Sequence, residues 1–402
     1  MIPSIIVPVT YHEVINAFKT ITIDDGSQIS SFEEKISEYI DCSEILLTYS
    51  GRTALYLLLK AYGLKRNDEV IMPAYDCETV ARLIIDMGYN LRFADVDKNT
   101  YNMSVEDLGE RITDNTKAVI AIHMFGNPCD MDGIMEVASD HGAVVIEDSA
   151  QTIGAEYNCR KTGTVGDCGF FSFGTAKPMT TMNGGLLIAK NERVMEKVRM
   201  IAGGFRSSNR QRLKVAVKLA AYSVIKNPLI YDPIYKFILN RRITRRCALE
   251  KEGMNPDDFN YAYTDMQAAV GMMQLSKLNM MNNIRVANTN LIMKRLSSMK
   301  TIHLPMVLGN AKPIFLRLPI RIEWESMKVR DELIQRMQRA GIDTPVAYPN
   351  VLPRFCNSGR GKYPNAEELV EKTITLPVHP LIKDSDIERM VGTIKEFVEE
   401  YP

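Results

Sequence analysis

The sequence carries no excess charge of either sign: 49 Lys and Arg face 49 Asp and Glu across 402 residues. Overall electrostatics therefore gives no reason to expect a nucleic acid as partner. No apolar run approaches the ~20 residues of a membrane-spanning helix. The opening "MIPSIIVPVTYHEVINAF" has no basic residue before its apolar stretch and is interrupted by Pro3 and Pro8, which makes it a poor secretory signal. The seven cysteines (42, 77, 129, 159, 168, 247, 356) are odd in number and lack C-x-x-C spacing. That argues against a disulfide framework or a metal site and for reduced thiols in the cytoplasm. The five histidines are dispersed, with none at i, i+3 or i, i+4. Internal repeats and low-complexity linkers are also lacking. What these absences leave is a cytoplasmic globular protein long enough for a large domain and a smaller one.

Between about 42 and 190, short apolar runs alternate with helical patterns. "EVIMPAY" (69–75), "LRFADVD" (91–97), "AVIAIHMF" (118–125), "AVVIED" (143–148), "GFFSF" (169–173) and "GLLIA" (185–189) read as buried strands. Helical patterns at 53–63, 78–88, 105–112 and 131–142 separate them, three of them ending at or near Gly63, Gly88 and Gly142. This alternation predicts a mostly parallel α/β sheet covered on both faces. Further on, "MQAAVGMMQLSKLNMMNNIRVANTNLIMKRL" (266–296) reads as one long helix. A strand at 313–322 and helices at 326–341 and 385–401 suit a smaller C-terminal α+β domain. The expected division is 1–285 and 286–402.

The chemistry concentrates in three places. In "GFFSFGTAKPMTTMNGG" (169–185), Lys177 is a lone cation among apolar, small and neutral residues. In "VVIEDSAQ", Asp148 ends a strand, at the sheet edge where open α/β folds bind ligands. An aspartate and a lysine converging there are, by themselves, most simply an ion pair. In "TYSGRTALYLLL", Ser50, Gly51, Arg52 and Thr53 open an apolar helix. Free N–H groups and the positive end of the dipole suit such a turn to a phosphate, although Ser-Gly before a helix is also an ordinary cap. A phosphate cradle, a strand-end carboxylate and a reactive lysine are together what pyridoxal 5'-phosphate (PLP) requires.

With these residues in place, the chain resembles the DegT/DnrJ/EryC1/StrS sugar aminotransferases, PLP enzymes of fold type I. The resemblance runs over nearly the whole chain. It rests on "SGRTAL", "TKAVIAIHMFGNPCDMDGIMEVASDHGAVVIEDSAQTIGAEY", "KTGTVGDCGFFSFGTAK…NGGLLIA", "FNYAYTDMQAAVGMMQLSKL" and "ITLPVHPLIKDSDIERMV". It implies that Lys177 is the Schiff-base lysine and Asp148 the partner of the pyridine nitrogen. Gln151 would face the ring oxygen, and Ser172 would join Gly51, Arg52 and Thr53 on the phosphate. Asn260 would reach the phosphate of a neighbouring subunit, which implies a homodimer with composite sites. The chain departs from the family pattern at Cys77, where an aromatic side chain usually stacks on the ring: either the Cys77 sulfur contacts that face of the cofactor or Tyr75 takes the role. It also has Asn183 for a glutamate and Ala262 for an arginine. Relatives that carry histidine in place of the lysine are dehydratases, so Lys177 favours transamination. The implied reaction moves an amino group from an amino-acid donor, L-glutamate by family likeness, to a keto-sugar carried on a nucleotide. Dehydration, or amination of a non-sugar ketone on the same fold, stays open, as does a non-enzymatic role with a vestigial site.

Residues 206–250 hold eleven Lys and Arg against two acids, interleaved with Leu, Ile, Val, Tyr and Phe. That pattern fits a solvated helical excursion. It also fits an amphipathic surface making peripheral contact with the inner face of a membrane, or one meeting the substrate's diphosphate.

Overall fold

A computed structural model describes residues 1–23, 25–225, 259–324, 326–356 and 362–401. The core element is a seven-stranded sheet. Its strands are β1 (Ile45–Thr48), β2 (Glu69–Pro73), β3 (Asn90–Ala94), β4 (Thr116–Ile122), β5 (Val144–Asp148), β6 (Cys168–Ser172) and β7 (Gly185–Ala189). They lie in the order β1-β7-β6-β5-β4-β2-β3, and β7 alone runs against the rest. The predicted parallel sheet is thus present. Its strands are almost continuously apolar because helices cover both faces, the situation in which a parallel ladder is stable. Val70, Met72, Ile120 and Ile146 pack into one layer, and Ile71, Val119, Ala121 and Val145 into the other.

Three differences from the sequence reading have local causes. Strand β1 went unread because "ILLT" is only four residues long, too short for a periodic signal. The long helix at 266–296 is two, Asp265–Ser276 and Leu278–Leu296, broken at Lys277 (φ −107°, ψ 0°). Lys277 Nζ leaves the helical path to donate to Pro8 O (2.8 Å) and to Glu13, a buried acid on the N-terminal helix Tyr11–Thr20. The strand at 313–322 is confined to β9 (Leu318–Ile322), because 314–316 hook onto the large sheet instead.

The smaller core is a three-stranded antiparallel sheet, β8 (Ile302–His303), β9 and β10 (Thr373–Leu376), covered by helices Met327–Arg339 and Asp384–Glu400. Helix Leu278–Leu296 runs unbroken across residue 285, and its far end, Ile292 and Leu296, enters this smaller core. Ile2 also belongs to this side, exchanging backbone hydrogen bonds with Gly341 and Asp343. Among the described residues no helix is long and apolar enough to cross a membrane. Of the basic stretch 206–250, residues 209–225 form a helix and 226–250 lie outside the described residues.

Candidate active site

The register of the sheet brings the three sequence signals to one edge. Asp148 closes β5 opposite Ile122 of β4 and Phe170 of β6. Ser172 closes β6 opposite Gly185, and Gly185 in turn pairs Thr48. Thr48 leads into Ser50, so the turn that starts helix Gly51–Ala61 lies directly on Ser172 and Gly185. The packing is tight enough to require glycines. A Cβ on Gly51 would come within 3.0 Å of Ser172 Cβ, and one on Gly185 within 2.6 Å of the Ser50 carbonyl carbon. This explains the glycine of "SGRT" and the second of "NGG" without appeal to a ligand.

Ser50 Oγ caps the helix by accepting from Thr53 N–H (3.1 Å) and contacts Thr53 Oγ1 (2.9 Å). Thr53 is fully buried, so its hydroxyl works within the cap, whereas Arg52 is exposed. The N–H groups of Gly51 and Arg52 stand at the positive end of the helix dipole, beside the half-buried Ser172 hydroxyl. That set suits an anion such as a phosphate.

Lys177 is half-buried between exposed Thr175 and Ala176 and buried Pro178 and Met179. Its charge acts on Asp148, Asp76 and Cys77, yet no ion pair joins it to Asp148. The ion-pair reading of the two residues is therefore not what the structure shows. Burial pushes the Asp148 carboxyl upward, against the pull of Lys177, the Ala150 N–H (2.9 Å) and His123. Gln151 is buried, donates through Nε2 to Tyr348 Oη (3.2 Å), and leaves its Oε1 without a partner.

Two site groups went unread in the sequence. Asp76 follows β2 as Asp148 ends β5, a second carboxyl at the same edge. It is buried, and its Oδ2 has no partner. Burial, and then the charge of Asp148, raise it well above the ordinary aspartate range. The strand-end logic applied to Asp148 would have found it. Tyr348 sits between Gln151 and Tyr75, with which it makes an edge-on contact (centroids 5.2 Å apart). Tyr75 is wholly buried in that cluster, so the half-buried Cys77, N-cap of helix Glu78–Asp86, is the side chain left nearer the open space. Burial lifts its thiol to about 11, with Asp76 adding to the effect.

The loops are held from behind. Glu147 points away from Asp148, as neighbours on a strand must. It is fully buried and accepts from His123 Nε2 (2.8 Å) and from the N–H groups of Gly163 (2.8 Å), Val165 (2.6 Å) and Gly166 (2.6 Å). Burial opposes its ionisation, but these partners outweigh it and hold Glu147 below the usual range. On helix Leu278–Leu296, residues 282, 285 and 288 share one face at helical spacing. Asn282 donates to Ile153 O (3.0 Å), and Arg285 donates to Pro178 O (2.8 Å) and Asn282 Oδ1 (2.7 Å). One helix face thus fixes both the loop after Asp148 and the loop carrying Lys177.

Asn260 is not part of this cluster. It is exposed, and its backbone oxygen accepts from Arg206 N–H (2.8 Å). The open cleft of about 340 Å³ lined by Tyr62, Asp167 and Lys190 lies at the opposite edge of the sheet and contains none of the candidate site residues.

PLP fits the residues that are present. An anion cradle at Gly51, Arg52 and Ser172, an amine without an ion pair, a carboxyl at Asp148 and an unpaired Gln151 Oε1 are all turned to one edge. The model of the DegT/DnrJ/EryC1/StrS aminotransferase family matches residues 7–395. GDP-perosamine synthase of Caulobacter vibrioides is 27% identical over 374 residues, covering 92% of this chain and 90% of its own. GDP-4-keto-6-deoxy-D-mannose 3-dehydratase of Yersinia pseudotuberculosis is 26% identical over 387 residues, covering 92% and 91%. In fold, the chain matches the crystal structure of the aminotransferase TlmJ from Streptoalloteichus hindustanus with a TM-score of 0.82, at 23% identity and over 100% of both chains. The chain belongs to the DegT/DnrJ/EryC1/StrS aminotransferase family and is a PLP-dependent enzyme of the transaminase type.

Proposed function

We propose that this enzyme transfers an amino group from an amino-acid donor, L-glutamate by family likeness, to a nucleotide-linked keto-sugar. The observation that carries the reading is Lys177: a half-buried amine, in no ion pair among the described residues, at the edge that holds Asp148. Bound PLP would supply an electron sink and a carrier for the nitrogen. The rest falls to the chain's own groups. Gly51 and Arg52 N–H with Ser172 would hold the phosphate, and Asp148 would face the ring nitrogen. Lys177 Nζ would anchor the ring, then take the proton from the donor's α-carbon and return it, as a positioned base does. A dehydratase reading keeps one support, the Yersinia relative's name. Against it stands the lysine at 177, where dehydratase members of the family carry histidine. Product analysis with glutamate separates the two, because only amino transfer leaves the donor's nitrogen on the sugar product.

The quaternary reading is a homodimer in which Asn260 reaches the partner's site; its exposure here is compatible with that role. For 206–250 we propose peripheral contact with an anionic membrane surface. The support is helix Asn209–Ile225, which exposes Leu213, Val217 and Val224 beside Arg210, Lys214 and Lys218. Sedimentation tests both: the protein alone should run at twice its chain mass and should pellet with anionic but not neutral liposomes. A monomer would remove the first idea. Unchanged pelleting of Lys214→Gln/Lys218→Gln would remove the second.

A further inference from the structure

Arg317 stands beside the site with no acid to meet it. The turn after β4 puts it there. Phe125 and Gly126 adopt left-handed φ values of 57° and 94°. In that conformation Phe125 O accepts from Leu316 N–H (2.8 Å) and Gly126 O from Ile314 N–H (3.1 Å). A Cβ on residue 126 would lie 2.9 Å from Leu316 N, so only glycine allows the approach. The hook carries residue 317 to the large sheet, where its guanidinium lies 5.7 Å from the centroid of the Phe125 ring. Phe125 leans on Tyr348 (5.8 Å), and Tyr348 Oη accepts from Gln151. Charges on both Arg317 and Asp76 reach the Tyr348 hydroxyl, which places it between the guanidinium and the catalytic edge.

Arg317 is half-buried, and its Nε is shut off from solvent without a hydrogen-bond partner. Among the described residues it forms no ion pair. A guanidinium keeps its charge, and with no acid among the described residues to meet it, the exposed part of this half-buried group is open to an anionic ligand. Phe125 lies to one side of the guanidinium, which leaves the other side for a ligand. A carboxylate offers two oxygens at the spacing of that fork.

We infer that Arg317, backed by Phe125 and Tyr348, is the subsite for a carboxylate of the amino-acid donor. The inference rests on the transamination reading, which requires such a donor. Its test uses the PLP-loaded enzyme mixed rapidly with L-glutamate alone, following loss of the cofactor's visible absorbance. In Arg317→Met, the glutamate concentration giving half-maximal rate should rise about 30- to 100-fold, the loss expected of a charge-assisted pair. The limiting rate should stay within about 3-fold, because the group binds the donor without touching the bond that breaks. Arg317→Lys keeps the charge but not the fork and should fall between the two; it carries the test should the methionine variant fail to load cofactor. Half-saturation in Arg317→Met within 2-fold of wild type overturns the subsite. So does a defect that appears only in the KM of the sugar acceptor. A wild-type enzyme that never acquires visible absorbance would instead count against the PLP reading itself.

Discussion

Lys177→Ala should cost at least about 10⁴-fold in turnover, since one group acts as both covalent anchor and proton carrier. The same variant should lose the visible, borohydride-reducible absorbance of the cofactor. It should nevertheless fold, because among the described residues Lys177 makes no hydrogen bond or ion pair and only part of its side chain is buried. The measurements are absorbance after loading with PLP, circular dichroism, and turnover. Full activity in Lys177→Ala would remove the assignment. A variant that is inactive because it is unfolded would contradict the description of Lys177 as a group the fold does not need.

Asp148→Asn should separate activity from stability. The carboxyl lies in a buried setting that disfavours its charge, only partly offset by Lys177, the Ala150 N–H and His123. A carboxyl whose folded pKa is raised weakens the fold above that pKa, and the penalty fades as the pH falls through it. Removing the charge without changing the shape should therefore leave the cofactor-free protein as stable as wild type or more so at pH 7. Activity should go the other way. An amide cannot supply the anion expected opposite the ring nitrogen, and turnover should drop by about 10²- to 10³-fold, the usual effect of deleting one preorganised electrostatic partner. Thermal melts of the cofactor-free protein and turnover of the loaded one check the two halves. A variant that is both less stable and fully active would contradict the role given to Asp148.

Much of this site is legible in the residue order because sheet edges obey simple rules. Asp148 and Lys177 are readable as strand-end and post-strand residues, and "SGRT" as a helix start. The register then brings Thr48, Ser172 and Gly185 side by side. Other parts depend on contacts far apart in sequence. The clamp of Asn282 and Arg285 on Ile153 and Pro178 links residues 107 to 129 positions apart. Arg317 reaches the site only because a left-handed turn at Phe125 and Gly126 catches the 314–316 segment, which an alternation pattern represents as plain strand. Asn183 shows a limit of another kind. The structure uses its backbone: Asn183 O accepts from Gln267 Nε2 (2.7 Å) and Thr181 Oγ1 (2.5 Å). No side-chain role is needed there, so an asparagine for the family's glutamate leaves these contacts intact.

The central claim is amino transfer rather than elimination on this fold, and one stoichiometry tests it directly. The loaded enzyme is incubated with L-glutamate and a panel of nucleotide-linked keto-sugars, and both 2-oxoglutarate and the sugar product are quantified. One 2-oxoglutarate for each amino sugar, with neither formed by Lys177→Ala, is the predicted result. Conversion of a sugar to a dehydrated product that retains no donor nitrogen, or turnover that proceeds without consuming glutamate, would contradict it.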